Sequence, residues 1–181
     1  MLNGEVIEEL DSGTLFVTYK NGKKNGPSWI EIESGINEII MNYKDDLLCG
    51  ECIQYYRNGF VMNIMNYSDG ILNGPFNSYS ENGMLQLSAN YKDGKYHGIV
   101  TSYDEFGDII NETPYVNGII HGKNIIYYSR SQGGGVLEVS FYENGLLTGN
   151  KISYYNTGEV MSVTPYINGR PQRYPKMFIK K

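Results

Sequence analysis

Between Met84 and Tyr91 the side chains alternate with a period of two. Leu85, Leu87, Ala89 and Tyr91 fall on one side of an extended chain, and Met84, Gln86, Ser88 and Asn90 on the other. That pattern predicts a β-strand, and it recurs at a fixed interval. Tyr19, Tyr43, Tyr67, Tyr91 and Tyr115 lie 24 residues apart, Tyr142 follows after 27, and Tyr166 after 24 more. The three extra residues fall in the Gly-rich stretch Ser131–Gly135.

Each tyrosine opens the same phrase, clearest in Tyr91-Lys92-Asp93-Gly94-Lys95-Tyr96-His97-Gly98. The copy at Tyr43 has Asp46 in place of its first glycine, and the copy at Tyr166 has Arg173 in place of its second. A third glycine column runs through Gly13, Gly35, Gly59, Gly83, Gly107 and Gly158. Glycine and Asn-Gly pairs mark turns, because they accept positive φ without steric cost. The expectation is a two-residue hairpin turn at Asn58-Gly59, Asn82-Gly83, Thr157-Gly158 and Ser34-Gly35. A second, longer turn is expected at Asn21-Gly22, Asp93-Gly94 and Asn144-Gly145. One unit is then two strands and two turns, with connections too short for a parallel crossover.

The predicted fold is all-β: an elongated, twisted, single-layer antiparallel meander of about 13–14 strands built from tandem hairpins. One array occupies residues 1–181. A half repeat spans 4–18, repeats start at 19, 43, 67, 91, 115 and 142, and a cap spans 166–181. Each repeat should advance the sheet by about 9.5 Å.

Placing every second strand in one register separates two faces. The face turned away from the phased tyrosines is polar in the middle of the chain and apolar toward both ends. Ile40, Met62 and Ile64 lie there on one side; Leu137, Val139, Phe141, Met161 and Val163 lie there on the other. A one-layer sheet cannot cover both faces by itself, so these residues are candidates for contact with a partner.

The phrase Tyr-x-Asn/Asp-Gly-x-x-x-Gly is followed by an aromatic strand such as Ile152-Ser153-Tyr154-Tyr155, the turn Asn156-Thr157-Gly158 and a second strand. In this it resembles the variant class of MORN repeats, from about Gly4 to Gly169. The resemblance implies an elongated β-hairpin array without an active site of its own. Such arrays resemble bacterial antitoxin or immunity components, occur in large DNA viruses, and also serve as scaffolds or membrane-associated modules.

Composition fits this picture. Glycine occurs 22 times and tyrosine 17 times, which disfavours helices and favours short strands with tight turns. The net charge of −5 argues against nucleic acid as a partner. Charge is uneven: residues 1–51 carry ten acidic and four basic side chains, while residues 164–181 carry five basic and no acidic ones. No signal-type segment and no membrane-length apolar run is present in the sequence, so the expectation is a cytoplasmic protein, of a bacterium or of an infected cell.

Candidate chemistry is sparse. Cys49 and Cys52 form an isolated Cys-x-x-Cys without the helix context of a redox pair or further zinc ligands, and read as turn and strand residues. His97 and His121 occupy equivalent positions about 9.5 Å apart, too far to share one metal ion. A second tyrosine column, Tyr55, Tyr79, Tyr103, Tyr127 and Tyr154, joins the apolar residues above as a candidate binding stripe, since tyrosine is enriched at interfaces. Its plainer role is cross-strand packing within the sheet. No catalytic, metal-binding or cofactor-binding set emerges, and no cofactor is expected. The expected function is non-catalytic binding of another protein, plausible for an antitoxin or immunity component. The alternatives are a self-assembling scaffold through apolar or edge-strand ends, and membrane association through the basic segment 173–181.

Overall fold

The computed structural model describes residues 1–11, 13–32 and 37–179. The chain divides into two compact units. One comprises Met1–Leu85 with Tyr91–Gly94, the other Gln86–Asn90 with Lys95–Lys181. In the first, antiparallel strands follow in chain order: Gly4–Leu10, Gly13–Lys20, Lys23–Glu31, Asn37–Lys44, Gly50–Tyr55, Val61–Ser68 and Gly74–Tyr79. In the second they are Gly98–Tyr103, Ile109–Val116, Gly122–Tyr127, Val136–Glu143, Leu146–Tyr154 and Val160–Ile167. The strand Leu85–Lys92 contributes residues to both units. These are the fourteen long strands among the described residues, and within each unit they pair with their neighbours in sequence, as the hairpin period requires. The other six strands are two-residue stubs.

The two kinds of connection are exchanged relative to the sequence reading. Asn21 and Gly22 take φ of 54° and 80°, Asn117 and Gly118 take 51° and 82°, and Asn144 and Gly145 take 51° and 81°. Two consecutive positive φ values define the tight two-residue turn. Asp46, at φ 72°, keeps the same conformation where the glycine is missing. At Asn58-Gly59 only the glycine has positive φ. The Gly59 amide donates to the Tyr56 carbonyl at 2.9 Å and the Tyr56 amide to the Phe60 carbonyl at 2.8 Å, which makes a three-residue loop. The loop expected at Ser34-Gly35 lies outside the described residues.

The second glycine of each phrase is not in a turn. It sits in a bulge inside the following strand, after Cys49, Asn73, His97 or His121. There the backbone amides donate to the carbonyls of Asn42, Asn66, Asn90 and Pro114 at 2.8–3.0 Å. Across the other edge of that strand each such glycine faces a phased tyrosine. The pairs are Gly26 with Tyr43, Gly50 with Tyr67, Gly98 with Tyr115, Gly122 with Tyr142 and Gly149 with Tyr166. A large ring opposite a side-chain-free position is a known way to stabilise glycine in a sheet.

In each unit the most buried positions lie two residues before the phased tyrosines, on their face. In the first they are Val17 (1% exposed) and Met41, with Ser28 and Cys52 from the intervening strands; in the second they are Ala89, Thr113, Ser140 and Thr164, with Val100 and Asn124. They are mainly apolar in the first unit and mainly polar in the second. Thr113 Oγ1 donates to Asn124 Oδ1 at 2.8 Å and accepts from Asn111 Nδ2 at 3.0 Å.

Tight turns of successive repeats are tied together. The amides of Gly70 and Gly94 donate to the carbonyls of Leu48 and Leu72 at 2.8 Å. In the second unit Gly118, Gly145 and Gly169 reach Tyr96, Ile120 and Leu147 at 2.8–2.9 Å.

Candidate functional site

The candidate residues on the face turned away from the phased tyrosines come together within each unit. In the first unit Phe16 pairs with Trp29 and Trp29 with Ile40, while Ile53 pairs with Ile64. The Phe16 and Trp29 rings stack with centroids 4.9 Å apart and planes 9° apart. Met62 follows on the same face by alternation. In the second unit Ile125, Val139, Ile152 and Val163 line up across four strands. Leu137 and Met161 lie two residues from this row, and Phe141, 40% exposed, pairs with Lys123. In the second unit the register also places Thr101 against Glu112. Val139 is only 8% exposed and offers little surface of its own. Phe16, Trp29, Ile53, Ile125 and Ile152, on the intervening strands, extend the candidate set; reading those strands in the same register would have found them.

The second tyrosine column occupies the loop end of the strands. Tyr55, Tyr79, Tyr103, Tyr127 and Tyr154 are each half-buried. The carbonyls of two of them are held by tyrosines that follow the column. The hydroxyl of Tyr56 donates to the Tyr79 carbonyl at 2.7 Å and that of Tyr128 to the Tyr154 carbonyl at 2.8 Å. Tyr155 donates to the Phe178 carbonyl at 3.0 Å. These clasps join repeats, and sequence phasing did not reveal them. Tyr127 is also anchored by its own hydroxyl, which donates to Glu112 Oε2 at 2.5 Å. That hydrogen bond to a carboxylate, with burial second, pushes the Tyr127 phenol up to about 12.

Two of the concavities among the described residues lie where the repeat departs from its pattern. The Gly-rich insertion forms a 3-10 turn, Arg130–Gln132, whose Arg130 makes a two-point ion pair with Asp108 at 2.8 Å for each contact. Beneath it Ile109, Tyr127, Tyr128 and Gly133–Gly135 help to line about 380 Å³. The second concavity, about 420 Å³, lies where Arg173 replaces the bulge glycine and is lined by Thr164, Tyr166 and the segment 171–175.

Cys49 is half-buried at a bulge, and Cys52 is 3% exposed with its thiol pushed up by burial. His121 Nδ1 accepts a long 3.4 Å bond from the Asn144 amide. No cluster of three potential metal ligands occurs among the described residues.

A protein-family model described as MORN repeat variant matches residues 72–93 and 96–117, two tandem units in the phase set by the tyrosines. No curated protein matches the chain. MORN repeats are in general protein- or membrane-binding modules.

Proposed function

From the premise that this chain is a MORN repeat protein of the variant class, we propose that it is a non-catalytic protein-binding module of the antitoxin or immunity type. The observation that carries this reading is the apolar face. Trp29, Ile40, Ile64 and their neighbours in the first unit share one sheet face, and so do Val139, Phe141, Ile152 and Val163 in the second. Among the described residues the only helical segment is a three-residue turn, so no helix covers this face. Repeats keep glycines and tyrosines for folding and leave strand side chains free to differ, which is how repeat arrays build recognition surfaces. Burying such a patch against another protein releases ordered water and drives association.

The test is affinity capture from the native host with the wild-type chain and with Met62→Glu and Phe141→Glu, each checked for an unchanged circular dichroism spectrum. One protein partner captured by wild type and lost by both variants is expected. No partner at micromolar bait, or a partner indifferent to both substitutions, refutes the reading.

Self-assembly as a scaffold is the second reading. Its motive is the outermost strand Gly4–Leu10, where Glu5, Glu8 and Glu9 are exposed and Ile7 is 61% exposed, set against the exposed Arg170, Arg173 and Lys176. Opposite charges on two edge segments favour pairing between copies. Light scattering over a concentration and salt series checks it; a strict monomer throughout rules it out.

A further inference from the structure

We propose that the concavity around Arg173 and Tyr174 is a second binding site, for an acidic peptide segment that carries an aromatic or aliphatic anchor. Thr164, Tyr166, Pro171, Arg173, Tyr174 and Pro175 help to line it, and its volume is about 420 Å³. That is space for a side chain or two, not for a flat surface. The local fold explains the opening. The Gln172 amide still makes the first bulge bond, to the Pro165 carbonyl at 2.9 Å, as His97 and His121 do to theirs. The chain then carries Arg173 where earlier repeats carry glycine, and it rejoins the sheet only at Lys176–Met177. The segment between stands clear of the sheet, stiffened by a proline at each end, so a ligand meets a surface that loses little freedom on binding.

Two features point to the ligand. Tyr174 is 94% exposed, whereas the phased tyrosines are half-buried, so it contributes little to folding and is available as a contact. Arg173 lines the opening, with Arg170 and Lys176 each three residues from it in the chain; no acidic residue occurs from 164 to 181, and no ion pair to any of the three forms among the described residues. Lys176 Nζ lies instead over the Phe178 ring at 5.1 Å. Unpaired cations beside ring-lined walls suit carboxylates flanking an apolar anchor. An anionic membrane would use the charges but leave the concave walls empty, which is why a peptide is the better fit. The site goes beyond the binding reading above. It lies on the side of Thr164 and Tyr166, and its test does not pass through Met62 or Phe141.

The test is a fluorescence-anisotropy titration of the full chain with a labelled peptide of glutamates flanking one tryptophan. Saturable binding is expected. It should weaken at least about tenfold when glycine replaces the tryptophan, and equally in Arg173→Glu and Tyr174→Ala, with circular dichroism unchanged. No saturation at millimolar peptide, or binding that ignores both substitutions, overturns the proposal. So does flotation with phosphatidylserine vesicles that depends on Arg173 while the peptide fails to bind. Failure of this titration leaves the host-capture experiment intact, and the reverse holds too.

Discussion

Replacing the bulge glycines with alanine tests whether the bulge is required by the backbone or merely filled by glycine. Gly98 and Gly122 hold equivalent positions in the second unit, opposite Tyr115 and Tyr142, with φ of 102° and 116°. At such angles an L side chain is strained by about 1–3 kcal/mol. Alanine returns about 0.4–1 kcal/mol by restricting the unfolded chain. Gly98→Ala should therefore destabilise by about 1–2 kcal/mol, because a Cβ there meets nothing within 4 Å. At Gly122 the added Cβ falls 3.2 Å from Pro114 Cγ, and a proline ring yields little. Overpacking then adds up to about 1 kcal/mol. Urea unfolding followed by circular dichroism measures both. The single tryptophan, Trp29, lies in the other unit, so its fluorescence reports whether the loss stays local, as nearest-neighbour repeat energetics predict. If both variants match wild type within about 0.3 kcal/mol, the glycines are not required by the backbone. If Gly98→Ala is the worse of the two, the contact argument at Pro114 is wrong.

Other consequences are as direct. Val17→Ala removes two methyl groups from a side chain 1% exposed and should cost about 2 kcal/mol in Trp29-monitored unfolding; a loss below about 0.5 kcal/mol contradicts the placement of the core. Tyr128→Phe deletes the bond to the Tyr154 carbonyl and should cost about 1 kcal/mol, read by urea unfolding followed by circular dichroism, whereas an unaffected midpoint removes the clasp from the account. A thiol reagent should label Cys49 quickly and Cys52 only on unfolding, since burial both blocks the Cys52 thiol and keeps it protonated; equal rates in mass spectrometry refute this. Because the folded-state value for Tyr127 is raised, the stability it contributes is complete below about pH 10 and is lost as pH rises toward about 12. Ultraviolet titration should show a late tyrosine that moves down in Glu112→Gln, and no change there excludes the hydrogen bond as the cause.

Much of the fold was legible because it rests on period alone. Phased tyrosines set the period at which the long strands recur, and alternation around Ala89 separated the two faces. The turns were harder. Asn-Gly serves both a two-residue turn and a three-residue loop, and only the second positive φ, at Asn21 or Asn144, distinguishes them. A bulge glycine such as Gly122 has no local signature separating it from a turn glycine. The clasps of Tyr56, Tyr128 and Tyr155 could not be phased, because Ser80 and Asp104 occupy the same column. The apolar face was visible in Ile40, Ile64, Val139 and Val163. The concavity at Arg173 showed only as a lost glycine, since its walls depend on where the chain rejoins the sheet.

The bonds that tie each tight turn to the preceding one bear on how such a chain changes length. In Gly70, Gly94 and Gly118 the donor reaches a carbonyl 22 residues earlier, so the contact regenerates itself whenever a whole unit is copied or deleted. A partial copy would leave the donor facing the wrong carbonyl and the tyrosine facing no glycine. The departure at Ser131–Gly135 is of another kind: three residues accommodated in a loop, beyond the last rung of both neighbouring strands. Growth by duplication in steps of 24, with small additions confined to the loop end, is the history this bonding pattern permits.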